Sequence, residues 1–407
     1  MRIENFRTEN KNGMSRAVAT VTWENSDHKT RDIYFETKEE YGQDLVSNPD
    51  TFAVGSYLPA MYFGEKRLYV EGGLSPVLKE GMLTAMQWYR FWYGEKYFPL
   101  EIEGERTIKL YQSSTPKGVG LFLSGGVDSL YTLRMNRLGF PVGHPASIRD
   151  GFLVHGFDIY HDESVDKKME TFDRAVATMS EVAKDAQVNL IPVFTNVRHL
   201  YSNVKFWMYW YFASALSAVA HSFAPRLSDV WISSDGYAAG TTPWGSHPSI
   251  DYNYSSHNVQ VHHGPLRGRF EKVKLIADWD AALNNMRVCT GNPDGLLNCG
   301  DCEKCIRTMT MLVAAGKLKQ CKAFPINDVT PRLLREITIT DKKNYKADYY
   351  YEVLKPLAER GRGDLVKVLE KELGWVGDIK RFDRTYLNEG LAHSWSLIRK
   401  ILKPKAI

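Results

Sequence analysis

The sequence predicts an α/β protein in which a doubly wound parallel sheet is preceded by an α+β domain and followed by a helical region. Three observations carry this expectation. Between residues 117 and 321, strand-like apolar runs alternate with helix-like stretches, a spacing that calls for right-handed crossovers and a parallel sheet. Before them the apolar residues alternate with polar ones, and after them the pattern turns helical. The 10 Trp, 22 Tyr and 18 Phe among 407 residues fill several cores and exclude a disordered chain.

Residues 1–116 form the first expected domain. Strands are expected at 15–24 and 30–36, helices at 52–62 and 76–93, and a strand at 98–111, closed by the turn-prone SSTPKG. Trp88, Tyr89, Phe91, Trp92 and Tyr93 are expected on a helix face packed into the core. In the second domain, residues 117–321, strands are expected at 119–123, 151–157, 189–195 and 229–233, with helices at 165–186 and 206–225. The last of these carries no formal charge, but its serines and its place between two strands indicate a core helix rather than a membrane span. Residues 322–407 should be helical, at 331–337, 349–360, 364–373 and 391–402. An excess of six basic residues there reads as a solvated face. The net charge of +4 does not mark a nucleic-acid binder. With no apolar leader in MRIENFRTEN and an odd number of cysteines, five, the expected compartment is the cytoplasm.

The strongest local signal is LFLSGGVDSLYTL, residues 121–133. A buried strand runs into Ser124, Gly125 and Gly126, and a helix starts near Asp128. Adjacent glycines let backbone N–H groups converge on an anion, and the helix amino terminus adds positive potential. Ser124 and Ser129 can donate hydroxyl hydrogen bonds, and Asp128 can cap the helix or help hold Mg2+. The turn is neither GxxxxGK[ST] nor GxGxxG. Ser124, Gly125, Gly126, Val127, Asp128 and Ser129 instead match the SGGxDS motif, which resembles that of the PP-loop ATP pyrophosphatases. That resemblance implies a sheet of the PP-loop type, with ATP held by its pyrophosphate at this turn. It also implies that the next strand end, His155, Gly156 and Phe157, lies beside the adenine. RFEKVKLI (269–276) resembles the lysine-bearing segment of these enzymes, with Lys272 balancing phosphate charge; a solvated helix lysine is the alternative.

Cys289, Cys299, Cys302 and Cys305 are spaced C-x9-C-x2-C-x2-C. Four thiolates at one tight turn suit a closed, structural Zn2+ site. An iron–sulfur cluster uses four thiolates too, although nothing else in the chain suggests redox chemistry. A disulfide from one C-x2-C pair leaves two thiols unexplained. Turn and cysteines together resemble the 7-cyano-7-deazaguanine synthases of queuosine biosynthesis over about residues 117–312. Cys321 lies outside the cluster, between Lys319 and Lys322, a basic setting expected to favour its thiolate.

Residues 233–258, rich in Gly, Ser, Pro and aromatics, read as a binding loop at the carboxyl end of a strand. Asp235 and Tyr237 fall near where those synthases recognise their deazapurine. Trp244 and Tyr254 can stack on a planar ring, and Asp235 or Asp251 can read ring N–H groups. Ser246, His247 and Asp251 evoke a hydrolytic triad, but adjacent Ser-His cannot easily share a hydrogen bond and no nucleophile elbow accompanies them. His262 and His263 are expected at the surface.

The expected activity is ATP-dependent adenylation, giving AMP and pyrophosphate. A carboxylate or carbonyl of a purine- or deazapurine-like small molecule is activated for a nitrogen or sulfur nucleophile, which a partner protein can supply or accept. The alternatives are a tRNA-modifying PP-loop enzyme and an ATP-binding adaptor without catalysis. No membrane partner is expected.

Overall fold

A computed structural model describes residues 1–104, 109–112, 116–157, 165–236, 243–289, 291, 295–336, 347–374 and 379, with backbone alone at 165–168. Among these residues ten strands make one sheet: β1 (Arg2–Lys11), β2 (Met14–Thr22), β3 (Arg31–Lys38), β4 (Arg67–Val70), β5 (Glu101–Glu103), β6 (Gly118–Phe122), β7 (Ile148–His155), β8 (Asn189–Thr195), β9 (Leu227–Ile232) and β10 (Gln260–His263). Their order is β10-β9-β6-β7-β8-β3-β2-β1-β4-β5. From β10 to β8 every pair is parallel. β3, β2 and β1 join by antiparallel pairing, and β4 and β5 by parallel pairing.

The parallel half has the doubly wound order. The chain moves outward from β6 through β7 to β8, then returns to the far side of β6 for β9 and β10. Strand order therefore reverses between β6 and β9, and the crevice at the carboxyl ends there is where such sheets take ligands. Helices α1 (Pro49–Tyr62), α2 (Pro76–Tyr93), α3 (Val127–Gly139), α4 (Val165–Ala186) and α5 (Phe212–Ser222) cover the faces. α3 and α4 pack on β6, β7 and β8, whereas α5 packs on α1 and β9. Alternation along the strands matches the two layers. Phe122 and Phe152 join the core that holds α1 and α5, and their neighbours Leu121 and Leu153 are buried outside it.

The described chain divides into two compact units, Met1–Arg267 with Asn285–Thr290, and Gly268–Asn284 with Gly291–Ile407. This differs from the three regions read from the sequence. β3 pairs with β8, so residues 1–104 extend the same sheet instead of closing a sheet of their own. The second unit is helical among its described residues: α6 (Arg269–Ala277), α7 (Glu303–Ala315), α8 (Pro331–Glu336), α9 (Asp348–Glu359) and α10 (Gly363–Leu373). Ile306, Met309, Leu312, Val353, Leu357, Leu365 and Leu369 fill its core. The helix expected at 391–402 lies outside the described residues.

Two local expectations change. Among the described residues of the stretch 98–111, only 101–103 form a strand. Of the α2 aromatics, Tyr89 is fully buried and donates to the Trp210 carbonyl at 2.7 Å, while Phe91 is 79% exposed. No described helix is long and apolar enough to cross a membrane.

Candidate functional site

The SGGVDS turn leaves β6 at the point of strand reversal. Leu123 extends the pairing by one residue, its N–H donating to the Phe152 carbonyl at 2.9 Å. Gly125 then adopts φ +80°, which favours glycine, and a Cβ there would crowd the Met179 methyl at 3.0 Å. Gly126 is the N-cap of α3, with no side chain capping it. The first N–H groups of α3 have no intrahelical acceptor. Ser129 is buried and donates to the Gly126 carbonyl at 3.0 Å, and its hydroxyl lies 3.3 Å from that of the exposed Ser124. The acidic first-turn residue is the half-buried Asp128. Such a turn can hold an anion on backbone N–H groups flanked by hydroxyls. Sequence reasoning missed Arg287, whose backbone N–H donates to the Gly125 carbonyl at 2.8 Å. Only its closeness to Cys289 in the chain could have signalled it.

At the end of β7, the His155 ring packs against Phe172 and Phe194, at centroid distances of 5.2 and 5.5 Å, and those two rings meet each other at 5.1 Å. Gly156 has φ +106°, and a Cβ there would meet the Thr195 carbonyl oxygen at 2.1 Å. Phe157 is buried, and its carbonyl accepts from Arg198 at 2.6 Å.

The binding loop is only partly as expected. Asp235 is half-buried, and Trp244 is half-buried with its ring edge-on to Tyr209 at 4.9 Å. Tyr237 lies outside the described residues. Tyr254 is fully buried and its hydroxyl accepts from Tyr57 at 2.8 Å, which removes it as a stacking platform. Asp251 is also fully buried. Its Oδ1 accepts the His247 N–H at 3.0 Å, and its Oδ2 accepts from Ser246 Oγ at 2.5 Å and from His263 Nδ1 at 2.7 Å. Those bonds occupy the carboxylate that was expected to read a ring. Nor do Ser246, His247 and Asp251 form a triad. His247 Nδ1 instead accepts from the Ser249 N–H at 3.1 Å, its ring meets Trp92, and burial lowers its pKa. His263, expected at the surface, is 5% exposed, and its Nε2 lies 2.9 Å from Ser234 Oγ. His262 pairs with Asp229 at 2.7 Å and holds that carboxyl below its ordinary range.

Lys272 sits on α6 and is 1% exposed, so the solvated alternative does not hold. The sulfurs of Cys289, Cys299, Cys302 and Cys305 all lie within 4.8 Å of one another, and none is in a disulfide. Cys299 and Cys305 are 3.7 Å apart, and the Cys302 N–H points at Cys299 Sγ at 3.4 Å. Four ligands at ~2.3 Å around a tetrahedral ion have sulfur–sulfur edges of about 3.8 Å, so the cluster can hold a metal ion. Cys321 is buried, its thiol donates to the Leu283 carbonyl at 2.9 Å, and burial pushes its pKa up to about 11. The basic neighbours therefore do not yield a thiolate.

No family model, curated protein or solved structure matches the chain.

Proposed function

We propose that the chain is an ATP-dependent adenylating enzyme of the PP-loop type, resembling the 7-cyano-7-deazaguanine synthases. The observation that carries this reading is the SGGVDS turn at the carboxyl end of β6, beside the reversal of strand order. Backbone N–H groups of the turn and the first turn of α3 hold the pyrophosphate, with the Ser124 and Ser129 hydroxyls beside it. Mg2+, held with help from Asp128, neutralises phosphate charge when bound. The site's own work is positioning: a substrate carboxylate or carbonyl oxygen is held in line with the α-phosphate, the bond to the β-phosphate breaks, and pyrophosphate stays on the turn. An amine, ammonia or a sulfur nucleophile then displaces AMP. The ring cluster of His155, Phe172 and Phe194 at the next strand end supports a neighbouring base. In this reading the four-cysteine cluster holds Zn2+ as a structural ion, since four thiolates leave it no open position.

The test is product stoichiometry. Incubated with ATP, Mg2+ and a panel of small acids and purines, the protein should release AMP and pyrophosphate in equal amounts. Asp128→Ala should abolish release while the far-UV spectrum is unchanged. Accumulation of ADP and orthophosphate would show the reading to be wrong.

A further inference from the structure

The carboxyl edge of the sheet carries a second group of residues that adenylation leaves unused. Ser234 follows β9 by two residues, His263 ends β10, and Asp251 opens the short turn Asp251–Tyr254. All three are buried, at 2%, 5% and 0% exposure. In the tautomer that carries its proton on Nδ1, His263 donates to Asp251 Oδ2 at 2.7 Å, the same oxygen that accepts from Ser246. In a neutral imidazole, Nε2 is then the acceptor, and the 2.9 Å contact with Ser234 is an O–H donating to it. Hydroxyl to imidazole to carboxylate is the order in which a serine is activated for acyl transfer. Ser246, the serine the sequence suggested, locks the carboxylate instead.

Register places this group next to the turn. β9 pairs with β6, with Trp231 opposite Leu121. Ser124 and Ser234 each follow the carboxyl end of one of these two adjacent strands by two residues.

We propose that Ser234 is a nucleophile that takes the acyl group from the acyl-adenylate, with His263 as its base and Asp251 positioning His263; this rests on the adenylation reading. Ser234 Oγ attacks the acyl carbon and its proton passes to His263 Nε2. The carbon–oxygen bond to the phosphate breaks, AMP leaves with the electron pair, and an ester forms on Ser234. His263 gives up that proton to solvent. Ammonia or an amine then attacks the ester carbonyl, and its N–H proton passes through His263 to Ser234 Oγ as the ester bond breaks, leaving an amide.

The full chain treated with diisopropyl fluorophosphate, without ATP, reports on the serine alone. Oγ displaces fluoride and His263 takes the proton. A serine hydroxyl that serves only as a strut has no base to take its proton and does not displace fluoride. The expected result is one adduct per chain, mapped by mass spectrometry to Ser234. Labelling should be lost in Ser234→Ala and slowed by roughly 100-fold or more in His263→Gln and Asp251→Asn. Should those variants fail to fold, the wild-type map alone decides. No adduct on Ser234 in protein that still releases pyrophosphate from ATP overturns the nucleophile and spares adenylation. An adduct on Ser234 in protein that never releases pyrophosphate upholds the activated serine and overturns adenylation.

Discussion

Acidification from pH 7 to pH 5 should change the stability of the first unit little, because two buried groups oppose each other, and single substitutions should separate them. His221 is fully buried, its Nε2–H donates to the Tyr254 carbonyl at 2.7 Å, and burial pushes its pKa from 6.5 down to about 4. The unfolded chain therefore takes up this proton first. Stability falls as pH drops below 6.5 and goes on falling to about 4, which by linkage is a loss of roughly 2 kcal/mol between pH 7 and 5. Asp50 lines a cavity of about 310 Å3, and burial raises its carboxyl from 3.8 to about 6, against the opposing effect of the Ser75 N–H at 2.9 Å. Here the folded chain takes up the proton first, so stability rises as pH falls through 6 toward 3.8. The gain over the same interval is roughly 1 kcal/mol, trimmed because the amino terminus of α1 favours the carboxylate. Asp50→Asn removes the gain and should lose about 2 kcal/mol on acidification. His221→Gln keeps an N–H for the Tyr254 carbonyl and should gain about 1 kcal/mol. Urea midpoints followed by tryptophan fluorescence at the two pH values measure both. If both variants moved in the same direction, the opposition of the two groups would be refuted.

Gly125→Ala should cost about 1–3 kcal/mol, from φ +80° and the Met179 contact, and should depress pyrophosphate release, while Gly139→Ala, where a Cβ meets nothing within 4 Å, should alter neither. Purified protein should carry one zinc per chain by elemental analysis. Cys302→Ser should lose the metal and unfold at lower temperature, since thiolate–zinc binding contributes on the order of 10 kcal/mol in small sites. Cys321 should resist iodoacetamide at pH 8 until the chain is unfolded, as its thiol titrates at about 11; Cys321→Ser should keep full activity with ammonia, by the same product assay.

The central strands were legible because parallel strands buried on both faces leave continuous apolar runs, as at residues 119–123 and 189–195. The turn was legible because Gly125 takes a positive φ that favours glycine. What failed was non-local. Nothing in residues 31–38 announces that β3 pairs with β8 rather than ending a small sheet. β10, Gln-Val-His-His, is short and polar, so its two histidines read as a strand or a loop at the surface, although His263 is buried. Cys321 shows the limit of reading charge along the chain. Its lysine neighbours are adjacent in sequence, but the sulfur points into a dry contact with a carbonyl, where desolvation dominates.

The same sheet holds two buried charged networks, and their difference bears on which one does chemistry. At the amino edge, Arg226 donates to Asp44 at 2.7 Å and to both oxygens of Asp150 at 2.7 and 2.9 Å, and Arg149 adds a bond to Asp150 at 3.1 Å. Each carboxyl group there is bonded by a guanidinium, so the network can clamp the loops below β7 and β9. At the carboxyl edge, Asp251 instead ends in an imidazole and a hydroxyl. Burying an ionised carboxylate for packing alone is a poor bargain, because apolar residues of similar volume serve as well or better. An Asp–His–Ser chain repays its burial when the proton on its last member has somewhere to go, and Ser234 follows the carboxyl end of β9, next to the strand whose carboxyl end carries the SGGVDS turn.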